Sequence, residues 1–176
     1  TVTAFCASSE RLKAETRRDF PNTTFDTDLK IFLARNSFDA VLVLTPIQFN
    51  AQTAVAALQA GKDVFLEKPM AHSLQGGREI VDAARKYNKN VWMLEQAVYH
   101  PRWAEVKKII KDRSIGDLVY YDQVVHWPID DSVNDRGGYG KTDWRIKAEY
   151  PLGHFFDGGP HQLAVLMEVG EQHHED

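Results

Sequence analysis

The chain carries one cysteine, Cys6, in 176 residues. A single thiol excludes an internal disulfide, and without paired cysteines there is no structural zinc signature, so a reducing compartment, the cytoplasm, is the expected setting. Long apolar runs are also missing. None approaches membrane-spanning length, and the amino terminus lacks the charged stretch followed by an apolar one that marks a signal peptide, so no membrane partner is expected. Basic residues are outnumbered, 21 Lys and Arg against 25 Asp and Glu, giving a formal charge of -4. That leaves no positive field to draw in phosphate backbones, and no nucleic-acid partner is expected. No internal repeat or low-complexity tract is visible. What is present is 43% apolar and 26% charged, the composition of a folded globular protein with length for one or two cores.

The first half alternates strand-length apolar runs with helical patterns, the signature of βαβ units around a parallel sheet. Thr1 to Ala7 reads as a strand, followed by a polar helix from Ser9 to Phe20 that Ser8 or Ser9 could cap, and Thr27 caps a short helix through Leu33. Asp39 to Leu44 is apolar on both faces, as a central strand covered by helices on each side would be. A helix over Phe49 to Ala60 ends at Gly61. Strand Asp63 to Leu66 runs into Glu67-Lys68-Pro69, Ser73 caps a helix reaching Tyr87, and Val91 to Leu94 is the next strand. Gly76-Gly77 weakens that helix. Beyond it, Trp103, Val106 and Ile110 mark one helix face, Asp117 to Trp127 reads as a long strand, and a last helix starts at Pro160 and stops at Gly170. The domain boundary falls near Glu95 to Pro101, dividing residues 1–97 from 98–176.

Two segments could carry chemistry. Glu67-Lys68-Pro69 sits at the carboxyl end of a parallel strand, where open α/β sheets gather ligands. A lysine there could hold a substrate hydroxyl and stabilise alkoxide character as hydride leaves the same carbon, although an exposed turn closed by proline would look the same. In Gly153 to Gln162, Asp157 and His161 are four residues apart and could face one pocket. Histidine suits a general base near neutrality and a carboxylate can orient it, while a helix cap with a packed histidine is the plainer alternative. His154, Asp157 and His161 together match no metal signature. Thr45-Pro46, after the central strand, faces the same sheet edge as Lys68 and could contact a dinucleotide, or be a simple turn. Tyr99, Trp103, Trp127, Trp144 and Tyr150 could line a sugar pocket or serve as core.

Taken in order, DAVLVLTP, AALQAGKDVFLEKPMA, LEQAVYHPRW, IGDLVYYD and DWRIKAEYPLGHFFDGGPH resemble the glucose-fructose oxidoreductase/inositol dehydrogenase (Gfo/Idh/MocA) family across nearly the whole chain. The resemblance implies an α/β fold: a Rossmann-like doubly wound parallel sheet binding NAD or NADP, then the start of an α+β substrate domain that carries the homo-oligomer interface. It implies that Lys68 is the catalytic lysine and that Asp157 and His161 are its acidic and histidine partners. Thr45, Pro46, Glu67, Lys68, Glu95 and Gln96 fall on cofactor-contacting positions, and Arg145 on an arginine near cofactor or substrate.

Two departures from the family pattern stand out. No glycine-rich turn or strand precedes Thr1, so the sheet is expected to be incomplete and the chain a piece of a longer protein. In the order 3-2-1-4-5-6 the missing first strand is central, so Thr1 to Ala7 should be separated from Asp39 to Leu44, leaving unpaired edges. Where NAD-specific relatives carry an acidic residue, this chain has Cys6-Ala7-Ser8-Ser9. With Ser8, Ser9 and Arg11 able to bind a 2'-phosphate, the balance leans slightly to NADP. Asn50 stands where many relatives carry histidine. The expected activity is reversible oxidation of a secondary hydroxyl on a sugar, polyol or cyclic diol. A non-catalytic ligand-sensing regulator and an NAD-dependent glycosidase are the alternatives.

Overall fold

The computed structural model describes residues 1–35, 37–125 and 153–174. It divides into two compact units, Thr1–Met93 and Leu94–Asp176, just ahead of the boundary window expected from the sequence. The first unit runs β1 (Ala4–Cys6), α1 (Glu10–Asp19), β2 (Thr24–Asp26), α2 (Leu29–Leu33), β3 (Ala40–Val43), α3 (Ile47–Gln59), β4 (Asp63–Glu67), α4 (Leu74–Tyr87) and then β5 (Val91–Leu94). β1 pairs parallel with β2, Ala4 opposite Thr24, and β3 pairs parallel with β4, Val43 opposite Leu66, with β5 beyond β4. β1 and β3 lie in separate sheets, β1-β2 and β3-β4-β5, matching the two flanks of the doubly wound order.

Alternation along the strands decides what is buried. Val41, Val43, Val64 and Leu66 point to one face and pack with Ala54, Ala57 and Leu58 of α3 and Ile80 and Ala83 of α4. Each large aliphatic residue fully buried there contributes roughly 1.5–3 kcal/mol. The helices come close enough that a Cβ on Gly76 would lie 3.1 Å from those of Ala51 and Ala71. The glycine that weakens α4 in isolation is what lets α3 and α4 pack. On the opposite face Leu42 is 55% exposed, and Phe65 stacks on half-exposed Trp92 with ring centroids 4.7 Å apart. Helices were expected on both faces of β3; among the described residues only one face is covered.

One local reading needs correction. Asp28, not Thr27, caps α2, its carboxylate accepting from the backbone N–H groups of Lys30 and Ile31, which a carboxylate at the first turn of a helix does well. Strand β2, too short to show an apolar run, carries no sequence signal of its own. Its last residue, Asp26, accepts two hydrogen bonds from the Arg35 guanidinium, at 2.7 and 2.8 Å. Those bonds hold the Asp26 carboxyl below the ordinary carboxylate value. A depressed folded value means that the stabilisation is fully present above the unfolded carboxylate's value, about 3.9, and is lost as pH falls through the lower folded one. Asp26→Asn is therefore expected to lower the urea midpoint at pH 7, with the gap to the parent closing as pH drops below that window. A gap of equal size at both ends would remove the pair from the acid response.

The second unit contains a short 3-10 turn at Ala97–Tyr99, α5 (Pro101–Lys111) and α6 (Gly153–His174). Ile110, Val165 and Val169 form its core, joined by Trp103 and Val106, and Lys107 Nζ lies 2.8 Å from Glu168 Oε2. The last helix does not start at Pro160 or stop at Gly170. Pro160 lies inside it; the ring fixes φ near the helical value, so the helix continues without the hydrogen bond that this residue's N–H would have given to the carbonyl of Phe156. The strand expected over Asp117 to Trp127 is absent over 117–125. No described strand lies alongside to complete a ladder. Leu118 and Tyr121 pack on the Ile110 cluster instead, leaving Val119 93% and Tyr120 81% exposed.

Candidate active site

In the first unit the candidate residues collect at the carboxyl ends of the strands. Lys68 follows β4 directly and is buried, as is Pro69, across a cis peptide. Thr45 and Pro46 follow β3 on the same edge, and Pro46 is exposed where the chain enters α3. Asn50, 1% exposed on the first turns of α3, joins them. Its Nδ2 donates to the carbonyls of Pro69, at 2.9 Å, and Glu67, at 3.3 Å, while Thr45 Oγ1 donates to its Oδ1 at 2.8 Å. One amide thus brackets Lys68 on both sides and ties that turn to the end of β3. Neutral Asn can donate and accept at once, which this position requires.

At the end of β1, Ser8 and Arg11 are exposed, and Ser9 occupies the N-cap of α1 without spending its hydroxyl on the cap. The guanidinium of Arg11 lies 3.4 Å from Glu15. Cys6 is no candidate nucleophile, since burial first, then the charges of Asp26 and Asp28, push its thiol up, away from the reactive thiolate. Among the described residues the Ser9 hydroxyl is not spent on the cap, and this, with the absence of a carboxylate on residues 6–9, fits the ribose end of a dinucleotide with or without a 2'-phosphate.

In the second unit, Asp157 and His161 lie one turn apart on α6, so they share a helix face. Asp157 is buried. The carboxylate found on His161 is that of Glu95, whose Oε1 lies 2.6 Å from Nδ1. Both side chains are largely sequestered, at 15% and 9% exposure. Oε1 also accepts the backbone N–H of Ala97 at 2.8 Å, and Oε2 is buried with no hydrogen-bond partner among the described residues. Gln96, beside it, is exposed. Trp103 packs into the core cluster, and Tyr99 is 85% exposed. Of the remaining sequence candidates, Arg145, Trp127, Trp144 and Tyr150 lie outside the described residues, as does the His154 side chain. Sequence reading missed Asn50 as a clamp and Glu95 as the histidine's partner.

Residues 1–95 match the model of the oxidoreductase family with an NAD-binding Rossmann fold, Gfo/Idh/MocA. The chain belongs to that family. Among relatives of this Gfo/Idh/MocA chain, the uncharacterized protein YMR315W of Saccharomyces cerevisiae is 33% identical over 151 residues, covering 86% of this chain and 42% of the relative. An alpha-N-acetylgalactosaminidase of Shewanella oneidensis is 26% identical over 126 residues, 69% of this chain and 27% of the enzyme. The chain thus spans less than half the length of either. In structure it is similar to an oxidoreductase from Thermotoga maritima, with a TM-score of 0.80 and 24% identity over 96% of this chain and 51% of that one. It is also similar to myo-inositol 2-dehydrogenase from Lactobacillus plantarum, with a TM-score of 0.63 and 22% identity over 68% and 36%. At those identities the likeness shows the fold. No helix among the described residues is long and apolar enough to cross a membrane.

Proposed function

We propose that the complete protein is an NAD(P)-dependent dehydrogenase acting on a secondary hydroxyl of a sugar, polyol or cyclic diol. The observation that carries this reading is Lys68, buried at the carboxyl end of a parallel strand of an NAD-binding Rossmann fold and bracketed by Asn50. When bound, the nicotinamide supplies a hydride acceptor. The chain's own residues supply the rest of the balance: as the carbinol C–H breaks with its electron pair, the hydroxyl proton passes to His161 and the C–O bond becomes a carbonyl. Lys68 holds that oxygen and offsets the charge it gains. Asp157 binds a neighbouring hydroxyl or helps set His161. Thr45, Pro46 and Glu67 seat the cofactor, with Ser8, Ser9 and Arg11 at its ribose end favouring NADP slightly.

Titrating the intact-length protein with NADPH and NADH, followed by nicotinamide fluorescence, tests this directly. Saturable binding, tighter for NADPH, is expected; binding of neither sinks the dehydrogenase reading and favours a non-catalytic regulator. A second reading draws on the likeness to the Shewanella glycosidase: hydride could leave and return within one cycle of glycoside cleavage. Net accumulation of reduced cofactor during turnover excludes that route.

A further inference from the structure

The family position of Glu95 is one that contacts the cofactor, but in this chain its carboxylate is turned to His161. We propose that Glu95 is a positioning residue that fixes the tautomer of His161 and supports its charge when it takes a proton, an inference that rests on the dehydrogenase reading above. Four observations meet here. The Oε1 to Nδ1 distance is 2.6 Å, and an ionised carboxylate only accepts, so the ring proton sits on Nδ1 and the lone pair on Nε2. The Ala97 N–H, at 2.8 Å from the same oxygen, locks the Glu95 rotamer through a local bond two residues along the chain. Helix α6 is held beyond His161 by buried Val165 and Val169 and by the Lys107 to Glu168 pair, so the ring cannot drift from its partner without disturbing packed residues.

Oε2 supplies the fourth. A buried carboxylate oxygen with no donor among the described residues is costly. Oε1 is already engaged by the ring and by the Ala97 N–H, so the carboxylate is held with its second oxygen buried beside a ring that gains positive charge when the substrate hydroxyl gives up its proton. The arrangement follows the physics of a carboxylate behind a catalytic histidine, which orients the ring and stabilises the imidazolium without itself being protonated. Nε2 is then the base, and Nδ1 is not available to substrate.

The test is carried out on the intact-length protein labelled with 15N-histidine. In the parent, the His161 signals should show Nδ1 protonated and Nε2 bare. Glu95→Ala should convert the ring to a mixture or to the Nε2–H form. Glu95→Gln, whose carbonyl can still accept, should retain the Nδ1–H form. With the best-turned-over member of a panel of five- and six-carbon polyols, both variants should lose roughly 10²-fold in kcat with little change in KM, and neither should weaken NADPH binding by more than about twofold. An Nε2–H ring in the parent overturns the proposal. So does an unchanged tautomer in Glu95→Ala, or a loss confined to dinucleotide affinity, which would return Glu95 to a cofactor contact. Failure of the parent to bind dinucleotide would instead defeat the dehydrogenase reading, and the tautomer result would stand apart from it.

Discussion

Lys68→Ala in the complete protein is expected to reduce kcat by roughly 10²- to 10⁴-fold, about 3–5 kcal/mol of transition-state stabilisation, while leaving the Kd for NADPH within a small factor. Timing decides the size of the effect. Before hydride leaves, the substrate oxygen is a neutral hydroxyl that many donors could hold. As the carbon becomes a carbonyl the oxygen carries alkoxide character, and only a cation aimed at it gains in strength at that instant. His161→Ala should cost a similar amount for the complementary reason, having removed the acceptor of the same proton. On the proposed mechanism both groups serve the same proton transfer, so the double variant should fall little below the worse single one rather than multiply the losses. Stopped-flow hydride transfer, monitored at the nicotinamide absorbance, separates these effects from product release. Normal turnover in either single variant would remove that residue from the mechanism.

Asn50→Ala is expected to lower unfolding free energy by about 3 kcal/mol, since three hydrogen bonds are lost and the buried Pro69 carbonyl and part-buried Glu67 carbonyl are left without their donor. Urea unfolding of the parent and variant provides the check. The second consequence is catalytic. The clamped carbonyls belong to Glu67 and Pro69, on either side of Lys68, so a loosened turn should reduce kcat even where the variant remains folded. Asn50→Asp is a sharper probe than alanine. It keeps the volume but sets a carboxylate against those carbonyls, and it should be at least as damaging. A loss below about 1 kcal/mol in either variant would mean that the bonds seen here are exchanged for others at little cost.

Much of the first unit was legible because its signals are local. β3, β4 and β5 are apolar runs bounded by turn residues, and α3 ends at Gly61, which takes a φ of 74°. Ser73 caps α4 as read, accepting from the N–H of Gly76. The sequence reading failed where a signal was short or had two uses. Thr24–Asp26 is too brief to show a period, and its strand exists because β1 lies beside it. Pro160 after two glycines looks like a helix start, yet the packing of Val165 and Val169 further along lets the helix run through it. In the candidate site, Lys68 was found because a motif ending a strand has a place in the fold. Glu95 and His161 are 66 residues apart, and no spacing rule connects them. Asn50 was noticed only as an oddity; its use became visible once the backbone brought the carbonyls of Glu67 and Pro69 to it.

The stack of Trp92 on Phe65 also makes the first unit optically distinct. Trp92 is the only tryptophan among residues 1–93; the other three, at positions 103, 127 and 144, fall in the second unit. A chain with those three changed to phenylalanine would emit from β5 alone. Excited where tyrosine does not absorb, its fluorescence would follow the unfolding of the first unit alone, and a midpoint apart from that of the whole-chain backbone signal would show the two units melting separately.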